Sequence, residues 1–407
     1  MALSNEDIQT DLFASPSGVE DENEEFQPFD PEKISIDTKG ITMDTCLRRL
    51  EQGTIILAPD FQRNEVWTEE KKCRLIESLM LKIPIPMFYV SADEKNVFSV
   101  VDGLQRLSTI RSFVLGDEFL ATKIQKLKGE GFHLKQLEFW GDKFNGANFS
   151  QLPINIQNRI LETEFTFTII NPGTPEEVKR NVFKRINTGG EPLTAQEIRH
   201  ALYIGKSTEL LMKLSKTKEF LDATFNTVKS NRMMDRELIL RFLSFTVRDY
   251  TNYPKNNDMD SFLSDTMRIL NIMPDINNKE ANKIFKGDVK REHILQSNIE
   301  KIESLFKLCM KRALTIFGEH TFRKSYIGKR RTPINKALFE VWSVLLSKLS
   351  EEEFKKLESK KDLFLKSYIS LLESPSIDYV ISRDSLKFTS VKERYEKFSD
   401  LINSLTK

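Results

Sequence analysis

The sequence predicts an α+β protein, with a small mixed sheet and its helices over residues 33–205 followed by an all-helical domain over 206–407. Three observations predict this. Up to Gly205, short apolar runs alternate with capped helical segments. From Ser207 onward nearly every segment has helical period, as in Arg236–Val247, His293–Phe317 and Ile334–Leu349. Residues 1–32 form a third zone, with six Glu, four Asp, no Lys or Arg, and no periodicity. That zone reads as a mostly disordered acidic tail, either a solubilising segment or a nucleic-acid mimic that folds over a basic groove. The chain has 407 residues and a net charge of +1, which conceals a separation. With ten of the 60 acids in the tail, 61 basic residues face 50 acidic ones in the rest.

The elements follow in order. Asp44–Gln52 is expected as a helix stopped by Gly53, and Thr54–Leu57 as a strand. Thr68 caps a helix that turns Leu75, Ile76, Leu79 and Met80 inward, with Glu69 and Glu70 favourable at its dipole. Pro86–Ser91 and Val97–Asp102 are strands, Leu104–Leu115 a helix ended by Gly116, and Glu164–Ile170 a further strand. Thr174-Pro175-Glu176-Glu177 opens a helix by a capping box with proline at N1, and Val178, Val182, Phe183 and Ile186 form its apolar face. Gly189 or Gly190 stops it, and Thr194-x-x-Glu197 opens the next helix by a second capping box.

Three stretches carry chemistry. In Val100-Val101-Asp102-Gly103-Leu104-Gln105-Arg106 an apolar strand breaks into a charged turn and opens a helix. Glycine there lets backbone N–H groups approach a ligand, the helix start adds unpaired N–H groups, and Arg106 adds a planar fork suited to phosphate. Asp102 has three readings, as holder of a hydrated divalent ion, orienter of Arg106, or cap of the helix. The second stretch, Pro59-Asp60-Phe61-Gln62-Arg63-Asn64-Glu65-Val66-Trp67, is a loop in which Phe61 and Trp67 read as core and Gln62 and Arg63 as functional. The third runs from Phe183 to Arg199. Arg185 and Asn187 there have no local structural role, whereas Glu197 has one as the capping residue. Gln62, Arg63, Asp102, Gly103, Gln105 and Arg106 are expected to line one pocket, because a phosphate chain needs more donors than one loop supplies.

Together these stretches (FQRNEVW, LIESLMLKIPIP, VVDGLQRLSTI and FKRINTGGEPLTAQEIR) resemble the domain-of-unknown-function family found at the N-terminus of GmrSD-type, modification-dependent restriction endonucleases. The resemblance runs from about Ile34 to Gly205 and departs at Leu104, where the family's motif has a glutamine. It implies a core similar to the ParB and sulfiredoxin fold, in which a glycine-plus-arginine turn holds nucleotide phosphates. It implies an NTP-binding and NTP-hydrolysing module with Mg²⁺, used in defence against foreign or modified DNA and gating DNA binding or a partner nuclease. Under it, Asp102, Gln105 and Arg106 are the catalytic candidates, with Asp102 also the Mg²⁺ ligand. Gln62, Arg63, Gly103, Arg185 and Asn187 are the nucleotide-binding candidates. Two alternatives stay open: a nucleotide-sensing DNA-binding switch that never hydrolyses, and a nuclease using Asp102 with Glu65 or Glu197 on a metal. A homo-oligomer is also open.

His133, His200, His293 and His320 are scattered singly, so no HNH-type nuclease site is read here. Cys46, Cys73 and Cys309 lack zinc spacing and suit a reducing cytoplasm. No apolar run approaches a membrane span, and the first residues are acidic rather than signal-like, so a cytoplasmic location is expected. In the helical half, Arg323, Lys324, Lys329, Arg330, Arg331 and Lys336 with Phe322 and Tyr326 form a basic, aromatic cluster suited to a nucleic-acid backbone. Lys123–Lys128 reads as a solvent-facing loop.

Overall fold

Alternation of side chains along Val100-Val101 already requires a sheet covered on both faces, and the computed structural model has that sheet. It describes residues 15, 17–22, 34–57, 67–116, 131–186, 193–230, 232–256, 258–287 and 289–406. The chain divides into two compact units, Phe29–Leu202 and Tyr203–Lys407, the second joined by Met1–Pro28.

The first unit carries strands β1 (Ile36–Thr42), β2 (Ile55–Ile56), β3 (Phe88–Ala92), β4 (Phe98–Asp102) and β5 (Glu164–Ile170). They form one mixed sheet of order β1-β5-β3-β4-β2. The β1–β5 and β3–β4 pairs are antiparallel, and β3–β5 and β2–β4 are parallel. Helices α1 (Met43–Glu51), α2 (Glu69–Met80), α3 (Leu104–Leu115) and α4 (Ile154–Glu162) supply the core of one face. Leu47, Ile76, Leu79, Leu107, Ile110 and Ile160 pack there on Val90, Val100, Phe167 and Ile169. On the other face, α5 (Glu176–Ile186) and α6 (Ala195–Leu202) bring Val178, Val182, Phe183, Ile198 and Ala201 onto Val101 and Ile170. One residue of offset thus sends neighbouring valines into two different cores.

The expected α+β class stands, α3 and β5 have the expected spans, α1 has its span to within a residue, and α2 has the expected Thr68 cap and buried face. Two elements went unpredicted. β1 reads IDTKGIT and is mostly exposed at the sheet edge, so it has no apolar alternation to find. α4 is a short helix with only Ile156 and Ile160 buried. One cap also differs. The Thr174 hydroxyl bonds the backbone of Ser35 (3.3 Å from its N–H, 3.2 Å to its carbonyl), tying the turn to the start of β1. By contrast, Thr194 and Glu197 make the expected reciprocal cap, at 3.2 and 2.6 Å.

A buried carboxylate fixes the loop after residue 131. Glu77, on α2, is 3% exposed and accepts the N–H groups of Glu138, Phe139 and Trp140 at 2.9, 2.8 and 2.9 Å. Charge-assisted bonds of this kind are each worth about 1.5–3 kcal/mol. Glu77→Gln keeps one acceptor and introduces a donor facing other donors. A loss of about 1.5–3 kcal/mol in chemical unfolding is the expected result, and an unchanged midpoint would show the loop to be held by its apolar contacts alone.

The second unit is helical, with α7 (Lys206–Ser215), α8 (Lys218–Thr224), α9 (Met234–Val247), α10 (Met259–Ile272), α11 (Ile299–Phe317), α12 (Lys336–Lys348), α13 (Glu351–Ser359), α14 (Lys361–Leu372) and α15 (Phe388–Thr406). Its centre is aromatic: Trp342 lies 5.0–5.5 Å, ring to ring, from Phe317, Phe364, Tyr368 and Phe398. The reading of residues 1–32 as a disordered tail gives way over Ser15 and Ser17–Glu22. Val19 is fully buried and bridges Ile334, and Glu22 lies against Arg241 with both side chains under a tenth exposed. Composition signalled disorder because the segment has one apolar side chain to bury. What orders it is charge and backbone pairing.

No helix among the described residues is long and apolar enough to cross a membrane. Cys46, Cys73 and Cys309 are buried thiols, and burial pushes the Cys46 thiol up to about 12.

Candidate functional site

The turn between β4 and α3 starts from a glycine whose backbone and surroundings leave little room for a side chain. Gly103 sits at φ +92° and is the N-cap of α3, and it brings no side-chain cap. A Cβ there would lie 2.2 Å from Cδ1 of Phe88. The helix therefore opens with its first-turn N–H groups uncapped by any side chain, as an anion-binding terminus requires. Of the three readings of Asp102, the helix cap is excluded, since Gly103 occupies that position.

Asp102 orients Arg106 instead. Its Oδ2 accepts from the Arg106 Nη2 at 3.0 Å, one helical turn on. The same guanidinium donates to the carbonyls of Pro86 and of Met87 (3.2 Å) and lies 4.7 Å above the Phe88 ring. Its side chain is 12% exposed, that of Asp102 36%. Burial lowers the Arg106 pKa below its ordinary value, against the opposing pull of Asp102. The fork thus clamps the entry of β3 to the β4 turn, and phosphate would meet a guanidinium already held on both terminal nitrogens. Asp102 pairs with Tyr89 across the sheet, beside a register irregularity at Tyr89–Val90. Gln105 is half-buried in the first turn of α3.

The third stretch approaches the same strand. Helix α6 packs on β4, and Tyr89 and Leu193 join the small core beneath it. Within α6, Gln196 is fully buried and accepts from Arg199 Nε at 2.9 Å. Arg185, in the last turn of α5, is exposed. Gln62, Arg63, Glu65 and Asn187 lie outside the described residues. Of the expected pocket, then, Asp102, Gly103, Gln105 and Arg106 are together in one turn. Among the described residues no group of three His, Cys, Asp or Glu side chains converges to hold a metal.

Two members of the basic cluster of the helical unit are a correction. Arg323 is 1% exposed and donates to the Thr332 carbonyl and to Thr227 (2.9 Å). Lys336 is buried on Glu237 at 2.9 Å, and Lys324 pairs with Glu20 at 2.7 Å. Arg323 and Lys336 therefore hold the fold and leave the cluster, while Lys329 and Arg330 stay exposed. Sequence alone could not see this, because a buried Arg and a solvated one read alike along the chain.

Residues 46–204 match the family model for the GmrSD restriction endonuclease, N-terminal domain. The match covers nearly all of the α/β unit from α1 onward and stops where the helical unit begins. No curated protein and no solved structure matches this chain.

Proposed function

We propose that the α/β unit binds the phosphate chain of a nucleoside triphosphate at the β4–α3 turn, and that the bound nucleotide gates DNA recognition in a restriction or anti-phage defence system. The observation that carries this reading is the glycine-opened, uncapped N-terminus of α3 with a half-exposed carboxylate beside it. Residues 46–204 supply the defence context through the domain they match. The first-turn N–H groups of α3 take phosphate oxygens, and the Arg106 charge lies behind them as the turn's brace. A Mg²⁺ ion would come with the triphosphate, held by Asp102 as its one protein carboxylate, which is how that ion is commonly bound. Mg²⁺ there would neutralise charge on the phosphates during hydrolysis. Gln62, Arg63, Arg185 and Asn187 complete the proposed contacts from the sequence.

A second reading, nucleotide binding without turnover, is favoured by one observation. Both terminal nitrogens of Arg106 are engaged within the protein, which leaves that side chain as an anchor more than as a stabiliser of developing charge. Calorimetric nucleotide titration with and without Mg²⁺, followed by phosphate release with and without DNA, separates the two readings. Asp102→Asn should leave Mg²⁺-free binding within about twofold and abolish the gain in affinity that Mg²⁺ confers on the wild type. If the hydrolytic reading holds, it should also cut phosphate release at least tenfold, on the order of 1.4 kcal/mol in the barrier. A wild-type chain that binds no nucleoside triphosphate at millimolar concentration refutes both.

A further inference from the structure

Ser15 and Ser17–Glu22 lie in the helical unit the way a peptide lies in its receptor. The Ile334 N–H donates to the Gly18 carbonyl at 3.0 Å and the Glu20 N–H to the Ile334 carbonyl at 2.8 Å, a one-residue strand addition. Gly18, at φ +76°, passes so close to Thr227 that a Cβ would stand 2.0 Å from its carbonyl oxygen. Val19 fills a fully buried slot. Beyond it, Glu20 meets Lys324 at 2.7 Å and the Asn335 amide at 2.9 Å, and Glu22 meets Arg241 and the Ser385 hydroxyl, the latter at 2.6 Å.

The aromatic centre of the unit comes from α11, α12, α14 and α15, and the segment adds one apolar side chain to it. The charges do not balance without it. Arg241, Lys336 and Arg394 face Glu237 and Glu340, leaving one positive charge that Glu22 neutralises. An unneutralised buried charge demands an anion.

We propose that this groove of the helical unit is a recognition site for short acidic peptides, with a glycine, a small aliphatic residue and acids one and three positions after it. Ser17–Glu22 occupy it in cis and keep it closed. Glycine is read by the approach to Thr227, the aliphatic residue by the Val19 slot, and the two acids by Lys324 with Asn335 and by Arg241 with Ser385.

The test uses the full chain with a site-specific protease sequence inserted between Glu24 and Glu25. A fluorescent peptide spanning Ala14–Asn23 is added before and after cutting. The tethered segment competes at an effective concentration on the order of millimolar, so the uncut chain should leave micromolar peptide unbound and the cut chain should take it up. Uptake should be at least about a hundredfold faster than global unfolding measured on the same sample. Peptides carrying Glu22→Gln or Val19→Asp should compete at least tenfold less well, and uptake should weaken with salt. Exchange only at the rate of global unfolding would make Ser17–Glu22 an ordinary part of the core and overturn the proposal. So would displacement of the cut segment by duplex DNA with no uptake of the peptide.

Discussion

Replacing Arg394 with alanine is expected to destabilise the helical unit by about 3–5 kcal/mol, the usual cost of leaving one member of a buried pair without its partner. Arg394 and Glu340 are both fully buried, with Nη2 2.6 Å and Nε 3.2 Å from the same carboxylate oxygen. The guanidinium also donates to the carbonyls of Ser385 and Val380, so three acceptors lose a donor at once. Burial raises the Glu340 pKa above its ordinary value, and Arg394 followed by Arg241 opposes that rise. Without Arg394 the carboxyl rises further. A carboxyl whose folded pKa exceeds its unfolded value binds its proton more tightly when folded, so stability falls as pH rises between those two values. The penalty should therefore be smaller near pH 5 than near pH 8, with acid restoring a neutral Glu340. Urea melts at both values check this. A double change, Arg394→Met with Glu340→Leu, should recover most of the loss, because two apolar residues leave no unpaired charge. A double variant as weak as the single one would show that the carbonyl bonds, more than the ion pair, hold this region.

Gly103→Val is expected to cost roughly 4 kcal/mol, from a β-branched residue at positive φ together with overpacking. The clash cannot be relieved cheaply. Phe88 is fully buried and fixed between Phe165 and Phe167, with ring centroids at 5.3 and 5.1 Å. Moving it would also displace the Arg106 guanidinium above its face. Gly103→Ala should show a smaller loss of the same kind, and Phe88→Leu in that background should restore part of it. Thermal melts read the stability effect. If the turn binds phosphate as proposed, nucleotide affinity in Gly103→Ala should fall further than the loss of folded protein accounts for. Unchanged affinity in a folded Gly103→Ala would detach nucleotide binding from this turn.

Much of the α/β unit could be read from the chain because its signals are local. The Thr68 cap, the Leu75, Ile76, Leu79 and Met80 face of α2, the Gly103 and Gly116 limits of α3 and the Thr194–Glu197 box all depend on residues within one or two turns of each other. β1 escaped because an exposed edge strand has no alternation. Its place is set by pairing with β5, more than a hundred residues away. The candidate turn was legible as a motif, since glycine between a strand end and a helix start has few other uses. The work done by each side chain was not, as Arg106 and the basic cluster show.

What the sequence determined by itself, then, was the succession of a mixed sheet unit and a helical unit, the helix limits, and the position of the β4–α3 turn. The tertiary structure alone decided which charges are spent. Arg106 is engaged by the carbonyls of Pro86 and Met87, Arg323 by Thr227 and Thr332, and Lys336 by Glu237. It also took Glu22 from an acidic stretch and buried it 219 residues away, beside Arg241. The physical reason is that desolvating a charge is costly, so a buried charge must be met by partners in space. Composition records how many charges a chain has, while only packing determines which of them lose their water.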